Sequence, residues 1–400
     1  MQPTAALQQM QPSYIREILS AAQAEGVISL AGGLPDGDKF PLELMKASII
    51  ALPDRPELFQ YGMTAGYEPL LRHFKQYYQM PDHHQPLVCT GSQQALDLIA
   101  RAFISPNDKI VMEAPSYLGA LQAFGLAQAD IISVSQQADG PNLAELEACF
   151  AEQNITLFYA VPDFHNPTGV CWSLAVRKQV AALCVQYNVT LVEDVPYREL
   201  RFKGDALPLV SSFCPDNALV LRSFSKIATP GIRLGLVTGN SQWIAPLIKI
   251  KQCADLHSSI PMQAVLLDLL THVDFDQHLT QLREIYQQRY QCIAQQLQQK
   301  LPAGCQFNPV DGGMFIWLTL PPCDDFSLAQ AAIENNVAVV PSTVFYQQGM
   351  PVTPALRLNF TNASIDELAI AVDRLVEVIN AECTPNFQPS ENLDLNAIAS

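Results

Sequence analysis

Between about residues 85 and 240, short runs of β-branched residues alternate with longer amphipathic stretches. This alternation is typical of crossover units, in which parallel strands form one sheet and helices cover its faces. We expect buried strands at residues 109–113, 130–134, 156–161, 189–193, 218–222 and 234–238. In open sheets of this kind, ligands bind outside the carboxyl ends of the strands. The residues that directly follow each strand are therefore the first candidates for a functional site.

The part of the chain after residue 260 has a different pattern. Residues 262–300 have the period of long helices, and residues 313–320 and 355–360 are strand-like. Ser364-Ile-Asp-Glu367 is a capping box that opens another apolar-periodic helix. These elements predict a smaller α+β domain.

The sequence thus predicts an α/β protein with two domains. We expect a large domain at residues 51–265, built on the mainly parallel sheet, and a small carboxyl-terminal domain at residues 266–383. An amino-terminal segment at residues 1–50 should pack with the small domain. Residues 384–400 are polar and without a clear period, so we expect a tail.

Charge and hydropathy exclude several classes of function. The chain has 23 Lys and Arg against 39 Asp and Glu, a net charge of -16. Such an acidic protein is not expected to bind nucleic acid or an anionic membrane surface, because both bind basic protein surfaces. No apolar run has the roughly 18 to 20 residues of a membrane helix, and residues 1–25 do not have the pattern of a signal peptide. We expect a cytoplasmic protein.

The cysteines and histidines do not predict a metal site. The ten cysteines, from Cys89 to Cys383, include no CxxC pair and no neighbouring histidines at metal spacing, so we expect reduced thiols. His83 and His84 lie between two prolines, where a polar loop is the expected structure.

Residues 221–233 bring an amine, two hydroxyls and a guanidinium close together in the sequence. Lys226 follows a predicted buried strand, so burial should lower the pKa of its ammonium toward the range of a nucleophilic amine. Ser223 and Ser225 offer hydroxyls, and Arg233 offers a fork suited to phosphate oxygens. A lysine after a strand is usually a surface residue, but these neighbours favour a functional role.

Two further strands end in polar residues. Asp194 follows the strand at 189–193, and Tyr197 comes three residues later. A buried carboxylate keeps a ring nitrogen protonated, although alone this acidic residue would only mark a strand end. Asn166-Pro-Thr-Gly169 follows the strand at 156–161 and has the composition of a turn, with Asn166 as a possible donor.

Ser92, in Thr90-Gly-Ser-Gln93, is predicted to be the N-cap of a helix. Free N–H groups at a helix start suit a phosphate dianion, although alone Ser92 is simply an N-cap. Tyr117 lies beyond the strand at 109–113, where it can stack on a ring or belong to the core.

Together these groups meet the needs of one cofactor class. A phosphorylated pyridine aldehyde requires an amine for covalent attachment, a carboxylate beside the ring nitrogen, donors to the phenolic oxygen and an anion site. All four occur in the sequence, near strand ends. The sequence therefore predicts a pyridoxal 5'-phosphate enzyme in which Lys226 carries the cofactor.

Over about residues 15–380 the sequence resembles fold-type I pyridoxal-phosphate aminotransferases of the class I/II group. The resemblance is greatest to the subgroup of 2-aminoadipate (LysN-type) and kynurenine aminotransferases and the catalytic part of MocR-type regulators. Its motifs are Ile28-Ser-Leu-Ala-Gly-Gly-Leu-Pro35, Tyr61-Gly-Met-Thr-Ala-Gly-Tyr67, Asn166-Pro-Thr-Gly169, Asp194-Val-Pro-Tyr-Arg-Glu-Leu200 and Ser223-Phe-Ser-Lys226. Each motif alone is weak evidence for this family, but the occurrence of all of them in this order is specific to it.

The resemblance implies roles around the cofactor. Lys226 would form the covalent attachment, Asp194 would face the ring nitrogen, and Asn166 with Tyr197 would contact the phenolic oxygen. Tyr117 would stack on the ring. The implied phosphate site consists of Ser92, Gln93, Ser223, Ser225 and Arg233.

The resemblance also implies a substrate site and a dimer. Arg357 would bind the substrate α-carboxylate, and Gly33 and Asn166 would be further substrate-binding residues. Arg16 matches the amino-terminal helix that shapes side-chain selection in this subgroup. Tyr61 would reach the phosphate from the neighbouring subunit, so the working unit would be a homodimer with shared active sites.

The activity that we expect is transamination from an L-amino acid to a 2-oxo acid, and the resemblance to the family implies 2-oxoglutarate as this acceptor. The donor would be of 2-aminoadipate, aromatic or aliphatic type. One alternative is another pyridoxal-phosphate reaction on this fold, such as that of a lyase, racemase or decarboxylase. The other is a non-catalytic MocR-like sensor. We disfavour the sensor because only about fifteen residues precede the resemblance, too few for a winged helix.

Overall fold

The computed structural model describes residues 1–8, 18, 22 and 24–383. The strands of this part of the chain are β1 (Ile28–Ser29), β2 (His84–Cys89), β3 (Lys109–Ala114), β4 (Asp130–Gln137), β5 (Gly140–Pro141), β6 (Ile155–Ala160), β7 (Thr190–Asp194), β8 (Ala218–Ser223), β9 (Gly235–Asn240), β10 (Gln306–Phe307), β11 (Phe315–Thr319), β12 (Val337–Ala338), β13 (Val340–Pro341) and β14 (Ala355–Asn359). The helices are α1 (Ala5–Gln8), α2 (Leu42–Ala51), α3 (Glu68–Tyr77), α4 (Ser92–Phe103), α5 (Leu118–Leu126), α6 (Leu143–Glu152), α7 (Leu174–Gln186), α8 (Ser241–Ala254), α9 (Ile260–Leu270), α10 (Phe275–Lys300), α11 (Asp325–Glu334) and α12 (Ile365–Glu382).

The largest sheet has eight strands in the order β2-β9-β8-β7-β6-β3-β4-β5. Strands β4, β3, β6, β7 and β8 are parallel to one another, β9 is antiparallel to both β8 and β2, and β5 is antiparallel to β4. The prediction of a mainly parallel sheet is confirmed, and all six expected strands form part of it. The carboxyl ends of the five parallel strands, β4, β3, β6, β7 and β8, meet at one edge of the sheet.

Strand β2 was not expected from the sequence. It contains Pro86, which removes a hydrogen-bond donor, but β2 is an edge strand, where proline is tolerated. The prediction of a polar loop at His83 and His84 is wrong for His84. His84 is buried and pairs with Asn240 of β9 as the first residue of the strand.

Alternate residues of the central strands build two cores. Ile110 and Met112 of β3 belong to the larger core, whereas Val111 between them belongs to a second core on the other face. Successive side chains of a strand point to opposite faces, so a sheet covered by helices on both sides needs such uninterrupted apolar runs. Because both faces of the sheet are covered by apolar cores, its polar side chains are expected at the strand ends.

The carboxyl-terminal part contains a second, four-stranded sheet in the order β10-β11-β14-β13. Helices α10 and α12 pack together beside it, and the predicted capping box of Ser364 and Glu367 opens α12. Strand β1 pairs with β12, which joins the chain near Ile28 to this part. The domain boundaries at residues 50, 265 and 383 stay a prediction. Among the described residues, no helix has the length and hydropathy needed to cross a membrane.

Candidate active site

A cavity of about 450 Å³ lies at the carboxyl ends of β6, β7 and β8. Nearly all the predicted site residues line this cavity: Gly33, Ser92, Gln93, Tyr117, Asn166, Asp194, Tyr197, Ser223, Ser225, Lys226, Arg233 and Arg357. The fold thus brings together residues that are distant in the sequence.

Lys226 enters the cavity from a single 3-10 turn, Phe224–Lys226, that directly follows β8. Its Nζ donates a hydrogen bond of 2.7 Å to the carbonyl oxygen of Gly33. Burial, with the positive charges of Arg357 and Arg233, lowers the pKa of Lys226 to about 8. A neutral amine is therefore accessible near neutral pH, as nucleophilic attack on a carbonyl requires.

Asp194 is the last residue of β7 and is buried. Its Oδ2 accepts a hydrogen bond of 3.0 Å from the hydroxyl of Tyr159, whereas its Oδ1 has no partner within the described part of the chain. Burial raises the pKa of this carboxyl to about 7, against the opposing effect of the Tyr159 hydrogen bond. A buried oxygen without a donor is costly, so this atom fits a ligand that donates to it.

Asn166 connects two other polar groups of the cavity. Its Nδ2 donates to the hydroxyl of Tyr197 at 3.2 Å, and its Oδ1 accepts from Nη1 of Arg357 at 2.9 Å. The Tyr197 ring lies edge-on to Phe315, with ring centroids 5.7 Å apart. These contacts fix the Tyr197 hydroxyl, whose own proton is free to be donated into the cavity.

Arg357 lies in the middle of β14 and is buried. Its guanidinium lies 4.5 Å from the ring centroid of Phe315 and 5.1 Å from that of Phe345, and Nη2 donates to the Ala31 carbonyl. Burial lowers the pKa of Arg357 to about 10, so the group stays charged at neutral pH. Among the described residues its Nε has no acceptor. A buried cation with a free donor suits a carboxylate ligand.

The other end of the cavity is suited to an anion. The sequence placed Ser92 at the N-cap of α4, which is wrong: Gly91 is the cap and Ser92 is the first helical residue. The cap has a φ of 78°, and a Cβ there would lie 2.8 Å from Nη2 of Arg233, so glycine is favoured. Arg233 itself is exposed, and within the described ranges it donates two long hydrogen bonds of 3.5 Å, to the carbonyl oxygens of Pro230 and Thr90. The start of α4 and this guanidinium together suit a phosphate.

Tyr117 and Gln93 form one wall of the cavity. The Tyr117 hydroxyl donates to Oε1 of Gln93 at 3.1 Å, and Nε2 of Gln93 donates to the carbonyl of Gly119 at 3.0 Å. Burial, as the largest cause, raises the pKa of Tyr117 to about 12, so the phenol stays protonated.

Comparison with known proteins identifies the family. Residues 25–375 match the family model described as aminotransferase class I and II. The chain belongs to this family. An aromatic-amino-acid aminotransferase of Thermococcus litoralis is 34% identical over 387 residues, which cover 93% of each chain. A 2-aminoadipate transaminase of Thermus thermophilus is 34% identical over 373 residues, which cover 92% of this chain and 93% of the relative.

Solved structures agree with this aminotransferase assignment. A multiple substrate aminotransferase from Thermococcus profundus superposes with a TM-score of 0.90, at 33% identity, over 95% of this chain and 98% of its own. LysN from Thermus thermophilus, complexed with N-(5'-phosphopyridoxyl)-L-leucine, has a TM-score of 0.89 at 32% identity, over 95% and 97%. The protein is a fold-type I aminotransferase that uses pyridoxal 5'-phosphate, as the sequence predicted.

The cavity of this aminotransferase fits the cofactor. The unpartnered Oδ1 of Asp194 is placed to accept from a protonated pyridine nitrogen. Lys226 offers an amine of lowered pKa, and the start of α4 with Arg233 offers donors to a phosphate. Each group that the cofactor requires therefore has a matching group in the same cavity.

One predicted site residue in the described part of the chain does not line the cavity. Tyr61 is 79% exposed and lies edge-on to His257, with ring centroids 6.1 Å apart. Arg16 lies outside the described residues, and so does the predicted tail at 384–400.

The sequence reasoning missed Tyr159, the donor to Asp194. Tyr159 belongs to the apolar run of β6, where an aromatic residue is expected to be part of the core. The only available signal was its position next to the carboxyl end of a strand that neighbours β7.

Proposed function

We propose that this aminotransferase moves the amino group of an aromatic, 2-aminoadipate-type or aliphatic L-amino acid to 2-oxoglutarate. Lys226 is the proposed attachment site of the cofactor and the residue that moves the proton. The observation that carries the proposal is the position of the Lys226 amine in one cavity with Asp194 and Arg357. When bound, pyridoxal phosphate supplies an aldehyde for attachment and a protonated ring that withdraws electrons from the substrate α-carbon.

Three residues have proposed roles in the chemistry. Nζ of Lys226, as a neutral amine, would accept the proton of the substrate α-carbon as general base and would then donate it as general acid. Asp194 holds the proton on the ring nitrogen through its unpartnered Oδ1. Tyr197 donates its hydroxyl proton to the phenolic oxygen, with Asn166 fixing that hydroxyl.

Substrate and phosphate bind at opposite ends of the proposed site. Arg357 binds the α-carboxylate of donor and acceptor, with Gly33 and Asn166 beside it. The phosphate binds among Ser92, Gln93, Ser223, Ser225 and Arg233. The ring of Tyr117 stacks on the cofactor.

The proposed donor classes follow the relatives. Similar enzymes are named for aromatic amino acids and 2-aminoadipate, and LysN was solved with a phosphopyridoxyl-leucine adduct. Relatives with such different donors differ in how they select the side chain, and we assign this selection to Arg16. Arg16→Ala should then change the ranking of donors.

We further propose a cytoplasmic homodimer with shared active sites. Phe59, Tyr61 and Met63 are 63%, 79% and 70% exposed, which supports an apolar contact surface on this segment. Tyr61 would contribute its hydroxyl to the phosphate of the partner subunit. The proposed domains are an amino-terminal segment, a large domain at 51–265 and a small domain at 266–383.

A donor screen tests the proposed specificity. Purified holoenzyme is mixed with single amino acids and 2-oxoglutarate, and glutamate and the matching oxo acid are quantified. We expect equal amounts of the two products, with aromatic donors or 2-aminoadipate among the best. Ammonia or carbon dioxide in place of glutamate would instead indicate a lyase or decarboxylase.

A further inference from the structure

Three potential metal ligands lie at the end of the sheet opposite to the active site. His84 is the first residue of β2, His83 directly precedes it, and Asp216 lies in the 3-10 turn Pro215–Asn217 that leads into β8. The active-site residues follow the other end of β8. Since a strand rises about 3.3 Å per residue, the length of β8 separates the two places by roughly 17 Å.

One donor atom of each of these three residues lies within 4.8 Å of the other two. Nε2 of His83 is 2.7 Å from Oδ1 of Asp216, and Nε2 of His84 is 3.9 Å from the same oxygen. Zinc bonds of about 2.0 to 2.2 Å place tetrahedral ligand atoms roughly 3.3 Å apart. The two distances to Asp216 bracket this value, and the ring nitrogens of the two histidines lie no more than 4.8 Å apart, so movements of on the order of 1 Å would bring the three atoms to zinc spacing.

His84 distinguishes this group from an ordinary ion pair. A hydrogen bond between His83 and Asp216 accounts for their short contact, but it gives no partner to His84. His84 is only 8% exposed, and its Nε2 has no hydrogen-bond partner in the described part of the chain.

The surrounding structure holds the three ligands with different stiffness. His84 is fixed by the pairing of β2 with β9, and the carbonyl of His83 accepts a hydrogen bond of 2.9 Å from the backbone of Ser241. The side chains of His83 and Asp216 are 53% and 67% exposed and can adjust around an ion. A fourth position is open to water.

We infer that His83, His84 and Asp216 bind one divalent transition-metal ion of the zinc class, with water as the fourth ligand. Two imidazoles and a carboxylate are a ligand set that suits zinc, and Nε2 of His83 can bind the ion when Nδ1 of the same ring carries the proton. The ion joins the edge strand β2 to the turn before β8. Its effect is on the stability of the fold, since the site lies away from the active-site cavity.

Zinc titration of the holoenzyme tests this inference. Chelator-treated protein is equilibrated with zinc sulfate, passed through a desalting column and analysed for metal content, and the affinity is measured by competition with a chelating dye. We expect one zinc ion per chain and a melting temperature that rises with zinc, because a ligand bound only by the native state stabilises it.

Matched variants identify the ligands. Asp216→Asn and His83→Asn alter exposed side chains and should fold normally, yet each should weaken zinc binding by about tenfold or more. His272→Asn is the control, because His272 lies 3.8 Å from Asp274 as a partly exposed pair outside the group of three potential ligands. Cofactor content and turnover should be the same in all three variants.

Two results would overturn the inference. One is wild-type protein that retains no zinc after desalting and shows no change in melting temperature. The other is zinc binding of equal affinity in Asp216→Asn, His83→Asn and wild type, which would assign the ion to the cofactor or to cysteines instead.

Discussion

Tyr159 donates a hydrogen bond of 3.0 Å to one carboxylate oxygen of Asp194, and the other oxygen has no partner among the residues that the structure describes. The two side chains come from neighbouring parallel strands, β6 and β7. Burial raises the pKa of Asp194 to about 7, and the hydrogen bond from Tyr159 opposes this rise. Tyr159 thus favours the ionised carboxylate that a protonated ring nitrogen requires.

Tyr159→Phe should lower kcat by roughly tenfold or more without a loss of bound cofactor. A hydrogen bond to a charged group contributes about 1.5 to 3 kcal/mol, which corresponds to that range. Because the removed bond lowers the pKa of Asp194, its loss raises that pKa, and the acidic limb of the pH profile should move to higher pH. A normal kcat and an unshifted profile would remove Tyr159 from this role.

The adjacent residues Asp194 and Glu193 provide a matched pair of carboxylates. Glu193 points to the other face of β7 and accepts hydrogen bonds from the backbone N–H groups of Val210 and Ser211, at 2.8 and 2.9 Å. Asp194→Asn should lower kcat per bound cofactor on the order of 100-fold. Glu193→Gln should lower the melting temperature but keep kcat. Equal effects of the two substitutions on kcat would contradict the assignment of Asp194 to the ring.

Cofactor uptake should depend on the protonation of Lys226. Its pKa is lowered to about 8 by burial and by the charges of Arg357 and Arg233, and only the neutral amine attacks an aldehyde. The rate at which cofactor-free protein takes up pyridoxal phosphate should therefore rise with pH and level off above about 8. Stopped-flow absorbance at several pH values measures this rate.

Removal of a nearby charge should shift that profile in a known direction. Arg357→Gln removes a positive charge that lowers the pKa of Lys226, so the midpoint should move to higher pH. Lys249→Gln, at an exposed position on α8, removes the same charge elsewhere and should leave the midpoint in place. An identical midpoint in all three proteins would show that Arg357 does not affect the amine.

Arg357→Lys should raise KM for the amino donor and the oxo-acid acceptor alike, by roughly tenfold or more, since both carry a carboxylate that a point charge binds less well. Steady-state kinetics with both substrates varied measure the two constants. Arg233→Lys is the comparison, since it should weaken cofactor retention with little change in either KM. A rise confined to one substrate would contradict a shared carboxylate site at Arg357.

Much of the site was predictable because its residues follow strands. Lys226, Asp194 and Asn166 occur just after β-branched runs, and the parallel topology brings those positions together. Local backbone geometry was less predictable. The N-cap at Gly91 depends on a positive φ and on the nearby Arg233, which no local motif reveals.

Long-range contacts were not predictable from one sequence. Tyr159 looked like a core residue because its partner Asp194 belongs to another strand. Residues 83 and 84 were predicted to form a loop because the nearby Pro86 obscured the edge strand β2. The group of potential metal ligands was missed because Asp216 is far along the chain from His83 and His84. In each case the missing information was which strand lies beside which.

The proposed shared site predicts complementation between defective chains. A Lys226→Ala homodimer and a homodimer of a disabling Tyr61 variant should each be nearly inactive. A mixed dimer with Tyr61 acting across the interface would contain one intact site and one site with both defects. Because half the dimers formed at equal mixing are mixed, activity should approach a quarter of wild type after co-refolding. Inactivity of mixtures in which mixed dimers are shown to form would place Tyr61 in its own chain's site.

Borohydride reduction of the holoenzyme tests the central assignment most directly. Reduction fixes the cofactor to the lysine that holds it, and peptide mass spectrometry then locates the modified residue. Lys251 is a buried competitor, but its ammonium is held by Asp255 at 2.9 Å and by Gln94 at 2.8 Å. The account predicts a phosphopyridoxyl group on Lys226 alone, and none in Lys226→Arg. A label on Lys251 or any other lysine would contradict it.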